Sequence, residues 1–350
     1  MMRDELLSAS GTDEERVVEE RDEPGLRPTT LDDFVGQEQL KAHLRVMLQA
    51  ARGRDQPMGH LLFAGPPGLG KTTLAAIIAN EMDAHIHVTS GPALEKGGDL
   101  AAILTKLEDG DVLFIDEIHR LARPVEEVLY PAMEDFQLDL VLGKGPAART
   151  MRLPVAKFTL IGATTRTGLI TGPLRDRFDY PTRLDFYEPE ELQSIVTRAA
   201  GILDVPIVDG GAFEIAVRSR GTPRIANRLL RQVRDFADVE RDGTVTEEVA
   251  RDGLEFFGVD DRGLDKATRS LLASLCNMFD GGPVGLKTLA ISVSEPVETV
   301  EDVYEPYLIQ QGLLMRTPKG RVATTAAWNH LKLTAPASSP QAAQEPELFD

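Results

Sequence analysis

Cysteine is nearly absent from this 350-residue chain: Cys276 stands alone. No intramolecular disulfide framework can form, and a reducing compartment such as the cytosol suits such a chain. Long apolar runs are missing too, so no transmembrane helix is expected. The first 24 residues are charged throughout and do not read as a signal peptide. The expectation is a cytoplasmic protein without a membrane partner. Positive charge is also in deficit. Thirty-eight Lys and Arg face 56 Asp and Glu, a formal net charge of −18. That balance excludes simple basic coating of nucleic acid, so any DNA contact must be local. No internal repeat is visible.

What is present divides into parts, and a chain of this length is expected to hold two or three domains. Residues 1–24 form an acidic N-terminal stretch, expected to be flexible, in which residues 1–23 carry nine acids and three bases. Residues 25–187 alternate apolar strand-like runs (60–64, 85–89, 111–116 and 158–165) with helical patterns, the signature of an α/β domain with a parallel sheet. Within it, 137–153 reads as a β-hairpin around the turn Gly143-Lys144-Gly145-Pro146, with Leu138, Leu140 and Leu142 alternating along its first arm. Those leucines are candidates for docking a partner or for packing on their own domain. Residues 188–258 are helix after helix. One of these helices opens with Thr222 as N-cap and Pro223 at its first position. Residues 259–333 read as three helices, the last spanning 296–311, followed by a hairpin: a winged-helix module. Residues 334–350 are a tail expected to be flexible, with no core to join.

The chemistry concentrates at Gly65-Pro66-Pro67-Gly68-Leu69-Gly70-Lys71-Thr72. An apolar strand precedes it and a helical pattern follows, which is the setting in which this spacing means a phosphate-binding loop. Gly65, Gly68 and Gly70 let backbone N–H groups turn toward phosphate oxygens, and the helix N-terminus adds partial positive charge. Lys71 would reach the β- and γ-phosphates, and Thr72 would offer its hydroxyl to Mg²⁺. Some 45 residues on, Asp116 and Glu117 end another apolar strand. In an open α/β sheet that places them at the edge where the loop lies. Asp116 would hold Mg²⁺ through water, and Glu117 would orient or deprotonate the attacking water. Thr164 and Thr165 end a further strand at the same edge, where a hydroxyl can meet the γ-phosphate or the nucleophile. Arg175 and Arg177 follow in a loop. Either could reach a neighbouring subunit's nucleotide or pair with Asp176 or Asp179, and spacing alone does not choose.

Seven segments together resemble the RuvB family of AAA+ motors: 65–73, 113–120, 128–135, 161–166, 173–178, 221–228 and 305–312. The resemblance covers roughly residues 24–333. It implies an ATP-hydrolysing ring, usually a hexamer, that translocates duplex DNA and migrates Holliday junctions beside a RuvA-like junction-binding protein. A RuvC-like resolvase is a further partner it suggests. By position, Arg177 resembles the family's arginine finger and Arg224 its small-domain sensor, whose guanidinium could close over the phosphates from a helix N-terminus. Leu26, Arg27, Thr73, Glu134, Asp135, Phe136 and Tyr187 match positions used around the nucleotide. The 137–153 hairpin matches the docking element for the junction-binding partner.

For DNA, the family uses basic residues of the C-terminal module, which Arg316 and Arg321 match, and Lys319 lies between them. The helix that would ordinarily enter a groove carries Glu298, Glu301, Asp302 and Glu305, and phosphates would repel it. Three wing contacts per subunit correspond to a log–log salt slope of about −2.7. Pro296-Val297 stands where many relatives have another arginine. Two other readings share the nucleotide motifs: a clamp-loader-like or protein-remodelling ATPase, and a nucleotide-gated scaffold. The first does not predict a basic wing after the small domain, and the presence of both Glu117 and Arg177 argues against a scaffold that binds ATP without turning it over.

Overall fold

The computed structural model describes residues 25–142 and 149–335, with the backbone alone at 140–142 and 149–150. Both terminal stretches and the Gly143–Pro146 turn therefore lie outside the described residues. Helix α1 (Glu38–Arg54) buries the 3.6-period stripe Leu40, Leu44 and Leu48. Then β1 (Leu61–Ala64), α2 (Lys71–Glu81), β2 (Ile86–Ser90), α3 (Gly97–Leu104), β3 (Val112–Asp116) and α4 (Arg123–Glu134) follow. At the start of helix α3 the Asp99 carboxylate accepts the Lys96 N–H at 2.9 Å, satisfying a donor ahead of the first turn. A hairpin, β4 (Gln137–Leu142) with β5 (Arg149–Pro154), precedes β6 (Thr159–Thr164), the short helix α5 (Gly172–Arg175) and β7 (Tyr180–Arg183).

The sheet is parallel in the order β2-β3-β6-β1-β7. Its centre is made of the continuous apolar runs read from the sequence, buried on both faces. The edge strand β7 escapes sequence reasoning: it is four residues long, half exposed and carries Pro181, which an edge position tolerates. In the hairpin, Leu138 is fully buried in its own domain's core. Its candidacy as a docking residue is thereby corrected: alternation turned it inward. The side chains of Leu140 and Leu142 are outside the described residues. Met151, paired in register with Leu140, is exposed.

Four helices come next: α6 (Pro189–Ile202), α7 (Asp209–Val217), α8 (Pro223–Glu240) and α9 (Glu247–Phe256). Their apolar faces join one continuous core with α1, α2 and one face of the sheet. The other sheet face packs separately with α3, α4 and α5. The last module has its own core. It comprises α10 (Lys266–Phe279), α11 (Leu286–Ser292), α12 (Val297–Thr299), a π-helical turn (Val300–Tyr304), α13 (Glu305–Gln310), the hairpin β8 (Leu314–Thr317) and β9 (Gly320–Ala323), and α14 (Thr325–His330). The expected single helix 296–311 is thus interrupted by a π turn. No helix among the described residues is long and apolar enough to cross a membrane.

Candidate active site

The loop leaves β1 at the carboxyl edge of the sheet, where the Gly65 N–H donates to the Thr164 carbonyl at 3.1 Å. Gly65, Gly68 and Gly70 all adopt positive φ. At Gly68 the demand is double. Its φ is +82°, and a methyl there would lie 2.7 Å from Thr222 Cγ2 and 3.0 Å from Arg224 Cβ. Helix α2 begins at Lys71, with Thr72 and Thr73 half-buried in its first turn. The buried Lys71 ammonium donates to the Gly65 and Pro66 carbonyls at 2.9 and 2.8 Å. Burial pulls its pKa down to about 8, against the opposing pull of Asp116 and Glu117.

Asp116 ends β3, and its Oδ1 accepts the Glu117 N–H at 2.8 Å. Thr72 and Asp116 supply hard oxygen ligands at one edge, a donor set that suits Mg²⁺. Glu117 is held at φ 48°, an uncommon conformation for a side-chain-bearing residue, and pairs with Arg120 at 3.0 Å. A methyl on Gly91 would come 2.4 Å from the Glu117 carbonyl, so that glycine lets the strained turn sit where it does. Thr164 is fully buried. Its hydroxyl lies 3.0 Å from His119 Nδ1 and accepts the Arg166 N–H at 3.0 Å. Burial pulls the pKa of His119 down, against the opposing pull of Glu117. Thr165, half-buried, is the next residue along.

The helical domain closes over this edge. The Arg224 N–H reaches the Gly68 carbonyl at 3.4 Å from the first turn of α8. Thr222 is the N-cap residue as expected, but its hydroxyl donates to the Arg220 carbonyl instead of capping the helix. The buried Tyr187 hydroxyl donates to the Leu69 carbonyl at 3.2 Å. Leu26 is buried in the shared core, and its carbonyl accepts from Arg198 of α6. Arg27 is exposed beside it.

Arg177 is elsewhere. Its guanidinium pairs with Glu134 at 3.0 Å, donates to the Pro173 carbonyl at 2.6 Å and lies 4.4 Å from the Tyr130 ring centroid. It shares a cleft with Glu134, Phe136 and His60. His60 precedes β1, so this cleft is at the amino end of the strand that delivers Gly65. Four residues of strand separate the two ends by about 13 Å. Glu134 and Phe136, matched without a physical argument from sequence, therefore belong with Arg177 on a face remote from their own loop. Asp135 is exposed between them. Of the surface pairings considered from spacing, Arg175 has a loose one with Asp176 at 3.9 Å, whereas Arg177 takes Glu134.

On the wing, Arg316 and Arg321 face each other in register. Both grip Glu305, whose carboxylate is almost fully buried, with bonds of 2.8 to 3.1 Å. Burial alone would raise the pKa of Glu305, but the two arginines outweigh it and the net shift is downward. Lys319 is exposed at the turn. The expectation that four acids repel DNA needs correcting. Glu305 is neutralised beneath the arginines, and Glu301 and Asp302 pair with Arg166 of the ATPase domain at 3.2 and 2.8 Å. Of the four, Glu298 is exposed. The helix is therefore engaged by the neighbouring domain. Arg166, Arg120, His119 and Glu305 were not foreseen in these roles. Only Arg120, three residues beyond Glu117, left a local signal.

Comparisons with known proteins agree across the chain. A family model for the Holliday junction DNA helicase RuvB P-loop domain matches residues 26–184. The RuvB AAA lid domain matches 187–260, and the RuvB C-terminal winged helix domain matches 261–332. The chain is 60% identical over 334 residues to the Holliday junction branch migration complex subunit RuvB of Rubrobacter xylanophilus, covering 94% of each. It is 62% identical over 310 residues to that of Oleidesulfovibrio alaskensis, covering 89% of this chain and 97% of the relative. The solved Thermotoga maritima RuvB branch migration motor superposes with a TM-score of 0.83 at 51% identity, over 89% of this chain and 99% of that one.

Proposed function

This chain belongs to the RuvB family, and we propose that it migrates Holliday junctions as a ring in which each ATP lies between two subunits. It is an ATPase, and one observation carries the shared-site reading: Arg177 and Glu134 lie at the opposite end of β1 from their own phosphate loop. A finger there can complete only a neighbour's site. In that reading Lys71 and the loop N–H groups hold the phosphates, with Thr73 beside them. Leu26, Arg27 and Tyr187 line the nucleotide's other side. Glu117 orients the water, Thr165 touches the γ-phosphate, and Arg224 carries nucleotide state into the lid. Thr72 and Asp116 would hold Mg²⁺, which when bound neutralises phosphate charge. Arg316, Lys319 and Arg321 contact duplex DNA backbones, and a RuvA-like partner docks on the β4–β5 hairpin. The ring is read as a hexamer in the cytoplasm, with a RuvC-like resolvase as a later partner. A four-way-junction migration assay with ATP and a RuvA-type protein tests this. Lys71→Ala and Glu117→Gln should both stop migration, and wild-type migration by either would refute the motor.

A further inference from the structure

A side chain just beyond the end of β6, that of Arg166, reaches the winged-helix module. The Arg166 N–H donates to Thr164 Oγ1, so its backbone is fixed to the strand end that presents Thr164 and Thr165. Its Nε donates to both Asp302 oxygens, at 2.8 and 3.1 Å, and its Nη2 lies 3.2 Å from Glu301 Oε2. Arg166 and Asp302 are each about one-quarter exposed, so the pair is sheltered from full solvent screening. Asp302 belongs to the π-helical turn, a local departure from α geometry of a kind that recurs at functional sites. Glu301 is shared: its other oxygen lies 3.7 Å from Arg316 Nη2 on the wing. Arg316 and Arg321 then meet on Glu305. A backbone hydrogen bond to Thr164 and then a run of ion pairs thus lead from the end of β6 to the wing.

We propose that Asp302, assisted by Glu301, is a positioning residue of the ATPase site supplied by the DNA-binding module. The chain's own winged-helix module orients Arg166, and Arg166 sets where the adjacent Thr165 meets the γ-phosphate. Such a contact is reciprocal, so movement of the module on DNA and movement of Thr165 on hydrolysis would each bias the other. The proposal rests on the reading that Thr165 senses the nucleotide, and the test separates the two.

ATP turnover of the full-length chain is measured without DNA, so the wing assignment does not enter. Asp302→Asn should lower kcat about tenfold with KM for ATP unchanged, the pattern of a misplaced group acting in the transition state. Asp302→Glu should recover part of the loss, and Glu301→Gln should show a smaller one. Asp302→Asn combined with Arg166→Gln should be no slower than the slower single variant, because both break one link. Wild-type kcat in Asp302→Asn, or losses that multiply in the double variant, would overturn the proposal. Thr165→Val is the reference. If it slows turnover while Asp302→Asn does not, the sensor reading stands and the positioning role falls. A slow Asp302→Asn beside a normal Thr165→Val overturns the route through Thr165.

Discussion

Arg177 is held 3.0 Å from Glu134 at the end of β1 opposite Gly65, so one strand carries the phosphate loop at one end and faces this arginine, the proposed finger for a neighbour, at the other. A guanidinium fixed by a carboxylate, a carbonyl and an aromatic face is already aimed, which lowers the ordering cost when a neighbour's nucleotide arrives. Its Nε is buried without a hydrogen-bond partner among the described residues, a donor that a neighbouring subunit can satisfy.

Arg177→Ala should therefore lower ATP turnover about a thousandfold while leaving ATP binding close to wild type. Mixed with wild-type subunits, it should depress turnover more than in proportion, as each defective finger silences an intact site. Steady-state turnover across a mixing series checks this, and a straight dilution line would refute the trans arrangement.

The lysine gives a pH dependence. Lys71 is buried on loop carbonyls with its pKa drawn down to about 8, and phosphate binding favours the charged ammonium. Below pH 8 the free protein already carries the proton, and above it the proton must be taken up on binding. ATP affinity should be nearly flat from pH 6.5 to 7.5 and about tenfold weaker at pH 9 than at pH 7. Calorimetry in buffers of differing ionisation enthalpy should register the proton uptake. An affinity that stays level to pH 9 would contradict the assignment.

Gly91 predicts a backbone effect far from it in sequence. Gly91→Ala would drive a methyl toward the Glu117 carbonyl and displace the turn that holds the Glu117 carboxylate, the group proposed to orient the water. We expect kcat to fall about a hundredfold with KM for ATP little changed, since Lys71 and the loop are untouched. A rise in KM alone would place Gly91's role in binding.

Glu305→Gln tests the wing. The substitution removes the charge that both arginines share, with a cost to the C-terminal module of about 2 kcal/mol. That is below the 3–5 typical of fully buried pairs because Arg316 can turn to water. Freed arginines should bind duplex DNA more tightly and with a steeper salt dependence. The same logic gives an acid limit. Because the pKa of Glu305 is depressed, its contribution is present above the ordinary carboxylate range and is lost as pH falls through the lowered value. Thermal melts and salt titrations measure both effects, and unchanged DNA affinity would move the DNA site off the wing.

The amino-acid sequence alone determined the parts whose geometry is local. The glycines and Lys71 lie within one turn, Asp116 and Glu117 end one strand, and the Lys266–Phe279 helix announces itself by its own period. These are legible because backbone sterics and side-chain period act over a few residues. The short edge strand β7 was not, since its four half-exposed residues carry no apolar run. Tertiary packing alone decided which charges are spoken for. Glu305 reads as a surface acid until Arg316 and Arg321 close on it, and Leu138 reads as a docking residue until the domain core takes it. Likewise Arg177 is one of two arginines in a loop until Glu134, more than forty residues away, fixes its direction. Ion pairs between distant segments depend on where the backbone brings them and on how much water is left between them, and neither is written in local spacing.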